Sequence, residues 1–297
     1  MDQHHKAAVK LMPLSQWIPV RLVCYALGIM GAAVVATLVT RLLVPPAPSP
    51  WHQLVLIKNA LLPFLMLATY GTLVRLLENR SAEEIDTRKG TLAFAIGGLI
   101  GTALMTAFFL ILWGFGLARI TVGSGFEGIA NELLVPFLTA VGEELLFRIV
   151  LFRLVEAMTG TSVSMLVSAA VFGLSHAANP GATVFTMTTL SLEAGVMLAL
   201  AYVLTRNIWL AVGIHMSWNL TQSWLFGASN SGLRDPHSLF QTTFSGPAIL
   251  TGGTFGPEGS ILTLALSLVC SGVLIALIRS RPGNWQPLRF QLGVSAS

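Results

Sequence analysis

The sequence predicts an all-α fold, a polytopic membrane bundle of about eight transmembrane helices. Three observations carry this. Of 297 residues, 54% are hydrophobic and 10% are charged, against about 25% charged in a soluble globular protein. Mean hydropathy is +0.74. Eight apolar runs of roughly spanning length follow one another, separated by breaks of turn chemistry.

The runs are Trp17–Leu43, Leu54–Leu77, Leu92–Leu117, Leu133–Glu156, Ser162–Ala178, Thr186–Leu204, Ile208–Phe226 and Ile261–Ile278. The first exceeds the 7–15 residue core of a signal peptide and reads as a retained helix. Pro45-Pro46-Ala47-Pro48-Ser49-Pro50 cannot be helical. Glu78 to Lys89 is a charged connection. Thr159-Gly160-Thr161 and Asn179-Pro180-Gly181 are turns, and Asn207 separates two further helices. Gly227 to Ser260 is the longest connection, rich in Gly, Ser, Thr and Pro. It reads as slack chain, with a lid as the alternative. The expected organisation is a tail over 1–16, a bundle over 17–279 with its core at about 133–226, and a tail over 280–297.

The formal charge is +4 and the pI about 9.4. The basic residues fall at helix ends without interleaved aromatics, so nucleic acid is not an expected partner. They read as topogenic charge. With the N-terminus cytoplasmic, twelve lie inside: Lys6, Lys10, Arg21, Arg75, Arg80, Arg88, Lys89, Arg153, Arg206, Arg279, Arg281 and Arg289. Arg41, Lys58, Arg119 and Arg234 lie outside, and Arg148 lies within the bilayer. This predicts both termini in the cytoplasm of a cell whose arginine excess points to a bacterial membrane. Cys24 and Cys270 each lie inside an apolar run and read as small hydrophobes. No H-E-x-x-H or cysteine-rich metal pattern occurs, and no cofactor or metal is expected.

Three polar islands interrupt this apolar chain. Glu143-Glu144-Leu145-Leu146-Phe147-Arg148 places three ionisable groups in a membrane helix, at a few kcal/mol each. Glu144 and Arg148 are one helical turn apart and can neutralise each other, while Glu143 faces elsewhere. A carboxyl in such a site is suited to general base work on water; the competing reading is an ion-pair network that locks helix packing. The second island, Phe172-Gly173-Leu174-Ser175-His176, sets Phe172 and His176 one turn apart. Ser175 lacks a G-x-S-x-G elbow, and a serine in a membrane helix usually bonds its own backbone. The third, His215-Met216-Ser217-Trp218-Asn219, puts His215 and Asn219 on one face, where both can donate to an oxyanion. Asparagine is a poor zinc ligand. Trp218 reads as packing or as an interface anchor. Glu193 is a lone acid in the sixth run, expected near the outer surface rather than in the same cavity. Gly97, Gly98 and Gly101, with Gly114 and Gly116 further on, suggest close helix packing.

Together the islands resemble the CPBP family of intramembrane glutamic proteases, which includes the type II CAAX prenyl endopeptidases and the Abi-like proteins. That family carries E-E-x-x-x-R, F-x-x-x-H and H-x-x-x-N in this order on successive membrane helices. The resemblance spans about Leu133 to Phe226. It implies that Glu143 and His176 activate water, that His215 and Asn219 form an oxyanion hole, and that Glu144, Arg148 and Phe172 support the site. It implies hydrolysis of a peptide bond without a metal ion, on a peptide or protein substrate presented at the bilayer. Two other readings stand beside it: an inactive member that acts as a membrane peptide-binding or immunity protein, and a proton-coupled transporter whose buried acids and histidines form a relay.

Overall fold

The computed structural model describes residues 17–43, 52–126, 128–234 and 237–280. The proline-rich break at 45–50 and most of the two expected tails lie outside them.

Among the described residues five helices are long and apolar enough to cross a membrane: Ile18–Leu43, Gln53–Glu78, Thr87–Gly114, Val184–Thr205 and Ile261–Arg279. The chain is thus a multi-pass membrane protein. The other three expected runs are also helical but do not meet that measure, being shorter or richer in charge. In order, the elements begin with α1 (Ile18–Leu43), α2 (His52–Glu78) and α3 (Thr87–Gly114), then β1 (Ala118–Val122). α4 (Ile129–Glu144) passes through a π-helical segment, Leu145–Phe152, into α5 (Arg153–Thr159). α6 (Thr161–Leu174) follows, and α7 (Val184–Leu190) runs through a second π segment, Ser191–Gly195, into α8 (Val196–Thr205). α9 (Trp209–Leu220) ends in a third, Thr221–Leu225. β2 (Phe240–Phe244), the single turn α10 (Ala248–Thr251) and α11 (Ile261–Arg279) complete the described chain.

The helix starts follow local chemistry. Asp86 caps α3 by accepting from the Arg88 amide at 2.9 Å, Thr183 and Thr186 form a reciprocal capping box on α7, and Ser260 caps α11 through the Leu262 amide at 3.0 Å. Gly160, at φ 84°, makes the turn between α5 and α6.

Two ends of the bundle are held differently. At one, a buried ionic cluster ties the helices: Arg153 donates to Glu78 at 2.8 and 3.0 Å, Tyr25 donates to Glu78 at 2.7 Å, and Arg80 donates to Glu84 at 2.7 and 2.8 Å. The Ile208 amide donates to Glu84 O at 2.9 Å, which fastens the α8–α9 turn to the α2–α3 connection. At the other end the sequence expectation needs correction twice. The fold is not purely α: β1 and β2 form an antiparallel pair, Ala118 opposite Phe244 and Val122 opposite Phe240. Nor is the connection 227–260 slack. Leu239 N donates to Trp224 O at 2.7 Å, Gly232 N to Phe255 O at 2.6 Å, and Asn179 donates through its side chain to Ser231 O at 2.9 Å. Backbone groups that are removed from water must be paired, and here the long connection finds partners both within itself and in the segments beside it.

The centre is built on α3 and α9. A Cβ on Gly97 would collide with Leu210 O and the Ile214 amide, and one on Gly101 with Ser217 and Ile214 O. Gly213 of α9 meets the backbone of Phe94 in the same way. These close approaches set α9, and with it His215 and Asn219, against the core. Gly98 and Gly114 have open space beside them, so only part of the glycine cluster packs closely. Cys24 and Cys270 are both free and half-buried.

Candidate active site

A cavity of about 350 Å³ lies among α4, α9 and the turn after α6, and Glu143, His176, His215 and Asn219 all line it. Each of the three islands therefore contributes to one shared cavity. Trp218 is buried and lines the same cavity.

Glu144 sits at the centre of the polar contacts. Its Oε1 accepts from Arg148 Nη1 at 3.0 Å and lies 2.9 Å from His215 Nδ1. Both Glu144 and Arg148 are completely buried. Arg148 donates further to Ala194 O at 3.0 Å and Gly195 O at 3.3 Å. Those carbonyls belong to or adjoin the π segment Ser191–Gly195. A π turn leaves local backbone groups out of the α ladder, and the guanidinium takes them up. Its face also lies 4.6 Å from the Phe172 ring centroid.

Hydrogen-bond chemistry fixes the histidine tautomers. A carboxylate only accepts, so His215 Nδ1 carries its hydrogen toward Glu144. Its Nε2 is then a donor only when the ring is an imidazolium. Nε2 lies 3.9 Å from Glu143 Oε2, too far for a direct bond and close enough for one water to touch both. Among the described residues Glu143 Oε2 has no hydrogen-bond partner and is buried, although the side chain as a whole is partly open to the cavity. For His176, Nδ1 lies 2.9 Å from Phe172 O. That carbonyl also only accepts, so in the neutral ring Nε2 keeps a lone pair and can take a proton. Ser175 donates to Phe172 O at 2.7 Å, the backbone bond expected of a membrane-helix serine. Phe172 is buried, its ring 5.2 Å from that of His176 and 6.1 Å from that of His215.

Glu144 is paired on both sides, with Arg148 on its own helix and with His215 on α9. A buried cluster is tolerable only with such pairing.

The structure overturns the expectation for Glu193. It does not lie near the surface: it is fully buried on the second π segment, among the described residues neither carboxyl oxygen accepts a hydrogen bond of ordinary geometry, and Thr263 of α11 is beside it. It is not among the residues lining the cavity. The extra residue in a π turn shifts the helix face, which an unbroken 3.6-residue period does not register.

Sequence reasoning missed several lining residues. Asn131, Asn179, Asn230, Ser231, Arg234 and Glu258 all contribute. Asn131 had a faint signal, a polar residue just ahead of the apolar run that begins at Leu133. Glu258 had none, because it lies far along the long connection. It is buried and accepts from Gln222 at 2.6 Å and from the Ser231 amide at 3.0 Å. Burial pushes its carboxyl up to about 7 despite those donors. Among the described residues no group of three or more His, Cys, Asp or Glu could hold a metal ion.

Comparison with known proteins adds one finding. No curated protein and no solved structure matches the chain. A family model does: that of the type II CAAX prenyl endopeptidase Rce1-like proteins matches residues 125–221, the segment that carries all three islands.

Proposed function

We propose that the protein is an intramembrane endopeptidase that hydrolyses a peptide bond with water activated by Glu143 and His176. The observation that carries this reading is the cavity shared by Glu143, His176, His215 and Asn219. In the proposed reaction, water held beside Glu143 gives up a proton to the carboxylate or to His176 Nε2 as its oxygen attacks the substrate carbonyl. The oxyanion receives hydrogen bonds from Asn219 and from Nε2 of an imidazolium His215. Glu144 supports that charge state by accepting from Nδ1, and Arg148 holds Glu144 in place. The proton taken from water then passes to the leaving nitrogen, so the base is regenerated and one water is consumed per bond cleaved.

The chemistry requires only a carboxylate base and neutral or cationic donors, so a chelator leaves the rate unchanged. Serine-directed reagents also have no effect, because Ser175 is committed to Phe172 O. The decisive experiment is peptide release by the purified protein in detergent, wild type against Glu143→Ala. Release by the wild type alone supports the proposal. Inhibition by a chelator with rescue by zinc refutes the glutamate mechanism, and equal release by both proteins refutes the role of Glu143.

A further inference from the structure

The cavity opens at one end of the bundle, while the basic residues gather at the other. From Glu143 and His215 the lining continues to Asn179, Asn230, Ser231 and Arg234, all in connections at the β1–β2 end. Among the described residues none of the connections 79–86 and 205–208, at the opposite end, lines it. That opposite end is defined by contact: Ile208 N bonds Glu84 O, Asn207 bonds Asp86 O at 3.0 Å, and Tyr25 of α1 bonds Glu78 of α2. Arg75, Arg80, Arg88, Lys89, Arg206 and Arg279 lie at or near it, with Arg21 and Arg153 close by. In the sequence, Lys6 and Lys10 precede α1, and Arg281 and Arg289 follow α11. Among the described residues the cavity end has only Arg41, Lys58, Arg119 and Arg234. Lysine and arginine near the ends of membrane helices are retained in the cytoplasm during insertion.

We infer that the site draws its substrate from the non-cytoplasmic face of the membrane, and that this substrate is an extended segment of an exported or membrane protein. The chemistry rests on the endopeptidase reading, whereas the side rests on charge and geometry alone. The mouth suits a peptide main chain. It is fenced by the described part of the connection 227–260, and beside the charged Glu132 and Arg234 it presents the amides of Asn131, Asn179 and Asn230. Asn131 Oδ1 accepts from Asn59 at 3.3 Å, which leaves the Asn131 amide hydrogens for a ligand. Asn179 spends an amide hydrogen on Ser231 O and keeps its oxygen as an acceptor. A donor and an acceptor are what an extended peptide, alternating C=O and N–H, can engage.

The test uses the full chain with Cys24→Ala and Cys270→Ala as background. Ser245→Cys marks the cavity end and Ser81→Cys the basic end, both at exposed positions. Thr243→Cys and Thr87→Cys form a second pair, also exposed, in case one variant of the first pair does not fold. Intact spheroplasts are treated with a membrane-impermeant polyethylene glycol maleimide. The inference expects the cavity-end cysteine to react at least about tenfold faster than the basic-end one, and both to react after lysis. Equal reaction, or the reverse order, overturns it. A quenched fluorogenic peptide is then added to sealed right-side-out and inside-out vesicles. Cleavage confined to right-side-out vesicles supports the inference, and cleavage confined to inside-out vesicles overturns it. Absence of cleavage in both vesicle types and in detergent defeats the endopeptidase reading and the substrate class with it, while the labelling still assigns the side.

Discussion

His215 Nδ1 lies 2.9 Å from Glu144 Oε1, the same oxygen that accepts from Arg148 at 3.0 Å. One carboxylate thus orients a histidine on α9 and an arginine on its own helix. The neighbouring Glu143 keeps an oxygen free for the cavity. Adjacent residues of the same type thus have different surroundings.

That difference predicts opposite phenotypes. Glu143→Gln abolishes peptide release and leaves thermal unfolding in detergent unchanged, since no buried partner is lost. Glu144→Gln strands Arg148 and His215, and removing one partner of a buried ion pair costs about 3–5 kcal/mol. Its melting temperature falls. If Glu143→Gln is the unstable variant and Glu144→Gln the inactive but stable one, the assignment of roles is reversed.

The proposed oxyanion donors are tested by truncation. Asn219→Ala and His215→Ala each lower kcat by about 10²–10³, the usual scale for one such donor. KM changes little, because the bond strengthens only as charge develops on the carbonyl oxygen. A variant that raises KM with kcat intact would assign the residue to substrate binding instead.

The α3–α9 contact makes a paired prediction about packing. Gly97→Ala drives a Cβ into Leu210 O and Ile214 N, and overpacking of this kind costs about 1–3 kcal/mol. It displaces the helix bearing His215, so melting temperature and kcat fall together. Gly98→Ala, one residue on, meets open space. It leaves activity intact and stabilises by up to about 1 kcal/mol through helix propensity. Equal effects of the two substitutions would mean that α9 is not held by this contact.

Glu258 gives the folded state a pH dependence of definite sign. Its carboxyl is raised from 4.5 to about 7 by burial. Between those values the folded chain binds the proton more tightly than the unfolded chain. Stability is therefore full below about pH 4.5 and declines as pH rises toward 7, by up to about 3 kcal/mol. Denaturation measured from pH 5 to pH 8 shows this decline in the wild type and a flatter profile in Glu258→Gln. Parallel profiles would show that Glu258 titrates at its ordinary value.

The sequence by itself determined what local spacing and composition can determine. An apolar chain with few charges must place its helices in lipid, because the bilayer leaves the backbone no other partners. The three islands were legible as site candidates since a charged group in such a helix is costly unless it is paired or used. Glu144 and Arg148 sit one turn apart on one helix, so their pairing was readable from spacing. The contact of Glu144 with His215 was not, because 71 positions separate them and only the glycine-lined packing of α3 on α9 brings α9 to that depth. The π segments were equally hidden. They have no local signature, and the one at Ser191–Gly195 exists together with a guanidinium from another helix that takes up carbonyls at its end. Glu193 was misplaced for that reason. The connection 227–260 looked like slack because its residues suit turns. Tertiary structure gave it a strand partner in β1, a buried acid in Glu258 and a wall of the cavity. Spacing along the chain reports neighbours within a helix, whereas a site assembled from four helices and a folded connection is decided by how those elements pack.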